Sequence, residues 1–285
     1  MRINGINVYP ISDGSFKLDG GAMFGVVPRL LWEKRMPPDD KNRIKMGLWC
    51  LLIKTGNLPD GQAGKNILIN TGIGNRCSQR YQDIFKIQHP PSLLSGLAEH
   101  NIKPTDIDIV ILTHLHFDHS GGNTFFQNNM LTPTFPKARY IVQKAEWEKA
   151  VNPNERTRAS YIKDNLIPIK EAGQLELLDG NGEILPGISV RVTGGHTRGH
   201  QIVLIESGNK KAVYWSDLIP TTAHIDLPYI MGYDLYPEET LEEKRRLVEQ
   251  AIKEEWICFW EHDPVINCGY IRKDADGKLT VEPLV

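Results

Sequence analysis

A short β-branched run, Ile107 to Leu112, leads straight into His114-Leu115-His116-Phe117-Asp118-His119. Three of the chain's nine histidines fall within those six residues. The run reads as a buried strand, so the cluster starts where a strand gives way to a loop. With extended geometry continuing, His114 and His116 point the same way, because strand side chains alternate. Leu115 and Phe117 then face the packing side. Asp118 and His119 follow the turn and approach from a second direction. Imidazoles and a carboxylate at this spacing make a pocket for a divalent metal.

Strand-like runs recur along the chain: Ile3–Pro10, Gly47–Lys54, Asn66–Asn70, Arg139–Val142, Gln174–Leu178, Ile188–Thr193, Gln201–Glu206, Lys211–Ser216 and Trp256–Trp260. Ser207-Gly208-Asn209 reads as a hairpin turn, and Leu58 to Gly64 as a longer hairpin loop. Ser92 caps a helix reaching His100, with Leu93, Leu94 and Leu97 on its apolar face. Residues 144–150 and 156–165 read as helices divided by Asn152-Pro153-Asn154. The clearest helix spans Pro237 to Glu254, with Pro237 in its first turn. Its buried stripe is Leu241, Leu247, Val248, Ala251 and Ile252. Glu242 with Arg246 and Glu249 with Lys253 are solvent-side pairs four residues apart. Residues 18–46 break the pattern, as Gly20-Gly21, Pro28 and Pro37-Pro38 interrupt a series of large apolar side chains. That excursion is expected to cover a pocket, to join a dimer, or to pack as a core loop.

A length of 285 residues accommodates one large domain or two small ones. A net charge of -2 gives no electrostatic reason to expect nucleic acid or an anionic membrane as partner. No apolar run approaches the roughly 20 residues of a membrane span. The opening residues, Met1 to Asn7, lack an apolar signal core, so the cytoplasm is the expected compartment. Cys50, Cys77, Cys258 and Cys268 are too scattered for a metal knuckle or a disulfide framework. They read as small buried hydrophobes.

More candidate ligands follow other strands. Gly194-Gly195-His196-Thr197-Arg198-Gly199-His200 follows the run ending near Val192, Ser216-Asp217 closes the run from Lys211, and Glu261-His262-Asp263 closes the run from Trp256. His-x-His-x-Asp-His, then Gly-His-Thr-x-Gly-His, then Ser-Asp, then a late His-Asp, resembles the ordered signature of the metallo-β-lactamase superfamily over residues 45–265. The resemblance implies an α+β fold: an αββα sandwich of two mixed sheets flanked by helices, as one domain over residues 1–285. It implies a binuclear metal site at one edge. His114, His116 and His196 would bind the first metal; Asp118, His119 and His262 would bind the second; Asp217 would bridge them. Five imidazoles and two carboxylates without a thiolate suit two zinc ions, with iron, cobalt or manganese as alternatives. His200 is expected to support a ligand by hydrogen bonding. His89 and His100 are expected at the surface.

Two positions depart from the family pattern. Asn70-Thr71-Gly72 stands where the family often has Asp-Thr-Gly, whose carboxylate supports the metal-binding loop. Arg198 stands where proline is usual, and is expected either to pair with an acid or to be exposed.

The mostly apolar segment Leu218 to Asp234, together with Asp19 to Pro28, resembles the branch of N-acyl-homoserine lactonases and their phosphotriesterase-like relatives. The implied activity is quorum quenching: a metal-bridging hydroxide attacks the lactone carbonyl and opens the ring. Asp118 would pass a proton to the leaving oxygen, and Tyr229 or His224 would hydrogen-bond the substrate. Phe24, Trp32 and Ile225 would form the acyl wall. The alternatives are a phosphotriesterase or arylesterase of the same fold, and a non-catalytic metal-binding redox or sensor module. The expected partners are a small ester or lactone and a second copy in a homodimer.

Overall fold

The computed structural model describes residues 1–57, 61 and 63–284. The first half of the chain supplies β1 (Arg2–Ile3), β2 (Ile6–Asp19), β3 (Arg43–Lys54), β4 (Asn66–Ile69) and β5 (Ile109–Ile111). A separate hairpin of β6 (Thr124–Gln127) and β7 (Met130–Pro133) follows, then β8 (Arg139–Gln143) and β9 (Leu175–Leu178). The second half supplies β10 (Gly182–Leu185), β11 (Ile188–Val192), β12 (Gln201–Ser207), β13 (Lys210–Tyr214), β14 (Ile257–Phe259), β15 (Cys268–Lys273) and β16 (Leu279–Pro283). They form two seven-stranded sheets, ordered β1-β2-β3-β4-β5-β8-β9 and β10 to β16 in sequence. Both are mixed: β4, β5, β8 and β9 run parallel in the first, and β13 with β14 in the second.

Parallel neighbours need crossovers, and helices occupy them. They include α4 (Leu93–Glu99), α6 (Lys144–Val151) and α8 (Pro237–Lys253), within a set completed by α1 (Gly20–Phe24), α2 (Arg29–Trp32), α3 (Gln79–Phe85), α5 (Phe117–Ser120) and α7 (Ile167–Glu171). The alternation within β4 shows how the layers form. Ile67 and Ile69 join Val203, Ile205 and Tyr214 between the sheets, while Leu68 faces Leu93, Leu97 and Trp147 on the helical side. On the opposite outer face, Val213 and Cys258 pack on Leu247, Val248 and Ala251 of α8. Each such side chain contributes about 1.5–3 kcal/mol when fully buried. The expected αββα sandwich is therefore the fold.

Several elements depart from expectation. The strand expected over Ile3–Pro10 is split at Asn4, whose φ of 48° turns the chain so that Ile3 pairs Ile6. Beyond that turn β2 runs on to Asp19 through an irregularity between Ser12 and Ser15. The 156–165 helix is absent: the Asn154 side chain accepts from the Thr157 N–H (3.1 Å) and hydroxyl (3.0 Å), capturing the chain in turns. Within that span a single 3-10 turn forms over Lys163–Asn165. Leu94 is exposed rather than part of the apolar face of α4. On α8 the four-apart pairs give way to three-apart pairs, Glu242 with Arg245 and Glu243 with Arg246. The Ser207-Gly208-Asn209 hairpin forms between β12 and β13. The Leu58–Gly64 loop lies partly outside the described residues. All four cysteines are free, and all except Cys77 are buried.

Residues 18–46 carry the end of β2, helices α1 and α2, and the start of β3. Met23, Phe24, Trp32 and Met36 turn inward, whereas Val26, Leu30 and Leu31 are exposed. Among the described residues, no helix is long and apolar enough to cross a membrane.

Candidate metal centre

β11, β13 and β14 point the same way, since β12 runs antiparallel between the first two and β14 is parallel to β13. Their C-terminal ends therefore deliver His196, Asp217 and His262 to one edge of the second sheet. β5 delivers His114 from the first sheet, and the Gln201 N–H donates to the Thr113 carbonyl at 3.0 Å, stitching the two sheets there. His116 precedes α5, whose first turns carry Asp118 and His119. Leu115 and Phe117 are buried as expected, Phe117 packing on Tyr81 and Phe85 while its ring also borders a cavity.

Two groups of ligand-type atoms result: His114, His116, His196 and Asp217, and Asp118, His119 and His262, each with its atoms within 4.8 Å of one another. Asp217 faces both. Its Oδ2 lies 3.1 Å from His196 Nε2 and 3.6 Å from His114 Nε2, and its Oδ1 lies 3.3 Å from His262 Nε2. The Asp118 carboxylate lies 3.6 Å from His119 Nε2 and 3.7 Å from His262 Nε2.

Hydrogen bonds behind the imidazoles fix their tautomers. His196 Nδ1 donates to Asp234 (2.8 Å), and His262 Nδ1 donates to the Gly47 carbonyl (2.9 Å). His119 Nδ1 lies 3.0 Å from Glu261 Oε2, and His114 Nδ1 lies 3.2 Å from Thr113 Oγ1. Their Nε2 lone pairs consequently aim at the space between the groups. Those lone pairs crowd one another: His114 Nε2 and His196 Nε2 each lie 3.1 Å from His116 Nδ1, and His119 and His262 Nε2 atoms are 3.2 Å apart. Asp217 Oδ1 is buried without a hydrogen-bond donor. Converging lone pairs and an orphaned carboxylate oxygen are what a pair of cations would satisfy, so the residues fit the metal ions implied by sequence.

The local electrostatics agree. Burial, reinforced by neighbouring imidazoles, pushes His114 and His116 well below the ordinary histidine range. Burial opposes charge on His119 and His196 too, but the carboxylates of Glu261, Asp118 and Asp217 for one, and of Asp217 and Asp234 for the other, outweigh it and raise both. Burial likewise opposes ionisation of Asp217, and the His119 and His196 rings outweigh it, holding that carboxyl well below its usual value. The edge attracts positive charge.

His200 acts from behind, as its Nε2 accepts the Asp217 backbone N–H at 3.1 Å and its Nδ1 pairs with Thr193 Oγ1 at 2.6 Å. Glu146, fully buried on α6, ties the histidine segments together. It accepts from the Leu115 N–H (3.0 Å), the Thr197 hydroxyl (2.5 Å) and the Tyr161 hydroxyl (3.0 Å). A Cβ on Gly199 would lie 2.3 Å from Glu146 Cβ, which explains the glycine between His196 and His200. Arg198 is both paired and exposed, with Glu239 at 2.5 Å and the Tyr236 ring beneath it. His89 and His100 lie apart, on the Gly74 carbonyl and against the Tyr9 ring.

A cavity of about 390 Å³ opens on the cluster, lined by His116, Asp118, His196, Asp217 and His262 at its floor. Leu18, Met23, Phe85, Phe117, Met231 and Leu235 form apolar walls, and Arg156, Thr157, Ser160 and Tyr233 add polar groups. This corrects the sequence reading of the wall. Tyr229 does not line this cavity; its ring packs under the Arg35 guanidinium (4.1 Å) and against Phe24. His224 spends both nitrogens on Thr221 Oγ1 (2.7 Å) and the Met23 carbonyl (2.9 Å) and is held down to about 3 by burial. Phe24 is sandwiched between Trp32 (5.2 Å) and His224 (4.5 Å), and Ile225 packs in the core beneath α8. Sequence reasoning missed Asp234, Glu146, Tyr233 and the 156–160 wall. Glu261 was visible as the neighbour of His262, whereas Glu146 carries no local signal.

Residues 50–262 match the profile of the metallo-beta-lactamase superfamily. An N-acyl homoserine lactonase from Bacillus thuringiensis is 30% identical over 226 residues, covering 77% of this chain and 82% of that protein. A crystal structure of a "probable metal-dependent hydrolase" from Staphylococcus aureus superposes with a TM-score of 0.88 at 32% identity, covering 100% of both chains. AidC, a dizinc quorum-quenching lactonase, shares the fold with a TM-score of 0.79 at 21% identity, covering 100% of this chain and 96% of its own. The chain belongs to the metallo-β-lactamase superfamily. Within that class it is a metal-dependent hydrolase.

Proposed function

We propose that this hydrolase opens the ring of N-acyl homoserine lactones. The observation carrying the reading is an apolar cavity of about 390 Å³ set directly on the histidine and aspartate cluster. A lactone head can reach the cluster while an acyl chain lies along Met23, Phe117, Met231 and Leu235, each buried methylene contributing about 0.8 kcal/mol. The Bacillus thuringiensis relative, an N-acyl homoserine lactonase by name, supports the same substrate class.

We assign His114, His116 and His196 to one divalent ion, Asp118, His119 and His262 to a second, and Asp217 to both. Imidazole and carboxylate donors without a thiolate favour zinc. Two such ions supply Lewis acidity toward the carbonyl and lower the pKa of a water molecule toward neutrality. The protein's own part is orientation and proton handling. Asp217 faces both groups, held by His200 through its backbone N–H. Asp118 reaches the cavity with its carboxylate and is placed to hand a proton to the leaving alkoxide oxygen. Tyr233, Thr157 and Ser160 take the polar contacts first given to Tyr229 and His224.

Purified zinc-loaded protein assayed on long-acyl lactones, aryl esters and phosphotriesters tests the reading. The highest kcat/KM is expected for the lactones. A higher value for an aryl ester or phosphotriester would reassign the substrate, and two bound ions without any hydrolysis would point to a non-catalytic metal protein.

A further inference from the structure

Behind His119 lies a buried polar cluster that metal binding alone does not require. Glu261 is fully buried just after β14. Its Oε2 lies 3.0 Å from His119 Nδ1 and accepts from Asn70 Nδ2 (2.8 Å) and the Ser216 hydroxyl (3.1 Å), while Oε1 accepts from Asn70 Nδ2 at 3.0 Å. Among the described residues its one ion-pair partner is His119. A buried carboxylate is costly unless such donors surround it.

Asn70 is chemically matched to it. Its Oδ1 accepts the Thr113 N–H at 2.9 Å, pinning the residue just before His114. Its Nδ2 donates to Glu261 and sits 3.1 Å from His119 Nδ1. An amide serves both faces at once, whereas an aspartate would satisfy Thr113 but press an oxygen against Glu261 with no proton between them. The same oxygen, however, would lie where it could accept from His119 Nδ1. The site therefore has room for one carboxylate behind His119, at position 70 or at position 261, and the other position must be an amide.

We infer that Glu261 is a positioning residue for the half-site of Asp118, His119 and His262: it holds the His119 Nδ1–H so that Nε2 faces the ion, and residue 70 is asparagine because Glu261 is there. The usual family aspartate at position 70 has, in effect, been moved from the end of β4 to the end of β14. The inference rests on the two-ion reading above.

Zinc titration of the apoprotein against a chelator of known affinity reads both binding steps. Wild type should take two ions. Glu261→Gln should weaken the second step about 10–100-fold and leave the first within about threefold. Asn70→Asp, which brings two carboxylates together, should weaken the second step as well. The exchanged pair, Asn70→Asp with Glu261→Gln, should recover to within about threefold of wild type. Circular dichroism and a thermal melt confirm that each variant is folded. If Glu261→Gln does not fold, Asn70→Asp and the exchanged pair decide the matter. Wild-type second-step affinity in either single variant, or an exchanged pair as weak as the worse single, overturns the inference. A wild type that binds fewer than two ions overturns the two-ion reading instead.

Discussion

The floor and the walls of the cavity are built by opposite strategies. The floor consists of strand ends, and nearly every ligand-type side chain there is pinned from behind: His119 by Glu261, His196 by Asp234, His262 by Gly47, the Asp217 backbone by His200. The walls come mostly from the 18–46 excursion, the 156–160 turns and the 231–235 loop, with Phe85 of α3 and Phe117 of α5, and their lining residues lie outside both sheets except Leu18 at the end of β2. Their mutual ties are few. The Gly232 N–H donates to the Ala22 carbonyl at 2.8 Å, and Arg156 donates to the Gly232 carbonyl at 3.0 Å. Rigid elements hold the chemistry, and irregular segments choose what meets it.

The largest test of that division is removal of the metal ions. Chelation is expected to abolish hydrolysis and also to lower unfolding stability in denaturant, by about 4 kcal/mol for each ion relative to ions present at roughly 1,000 times their Kd. Unchanged stability would mean the floor does not depend on cations. Next, His116→Ala should reduce kcat/KM on the order of 10³-fold and release metal, by elemental analysis, for every substrate alike. Retained metal with full activity would sink the assignment. A wall residue should behave differently: Met231→Ala is expected to cost about tenfold in kcat/KM for long-acyl lactones, with little effect on short ones and full metal content. Equal losses across chain lengths would erase the distinction between wall and floor.

The last test concerns the support of the wall. Lys244, buried on α8, donates to the carbonyls of Asp226 (2.7 Å) and Tyr229 (2.8 Å), just before the 231–235 loop. Burial holds its ammonium down to about 7, from an ordinary 10.5. Between those values the unfolded chain binds a proton that the folded chain does not, so this residue makes stability rise with pH across that window and adds no slope below it. Denaturant unfolding from pH 7 to 10 should therefore show a steeper upward trend for wild type than for Lys244→Met. Parallel trends would remove Lys244 from this role.

The same contrast explains what the sequence could disclose. The floor was legible because its ligands follow strands recognisable by β-branched apolar runs, and because a strand end fixes direction. The strand ends offered His114, His116, Asp118, His119, His196, Asp217 and His262 as candidates, the resemblance suggested their roles, and the structure brings their side chains into two neighbouring groups. The walls were not legible, because side chains on aperiodic segments can be claimed by competing partners. Asn154 drew residues 155–160 out of a helix, Phe24 was taken by Trp32, and the His224 ring by the Met23 carbonyl. Asn70 lay between these cases. Its departure from the family pattern was plain in the sequence, but its reason, a carboxylate 191 residues away in the chain, was not.

Asp217 serves both groups of imidazoles, its Oδ2 facing His196, His114 and His119 and its Oδ1 facing His262. One rotor thus belongs to two equilibria. On the two-ion reading, a cation entering either group would immobilise the carboxylate that the other must use, so part of the ordering cost of the second occupancy would be met by the first. Linkage makes the benefit reciprocal: whatever factor one ion gains from its neighbour, the neighbour gains from it.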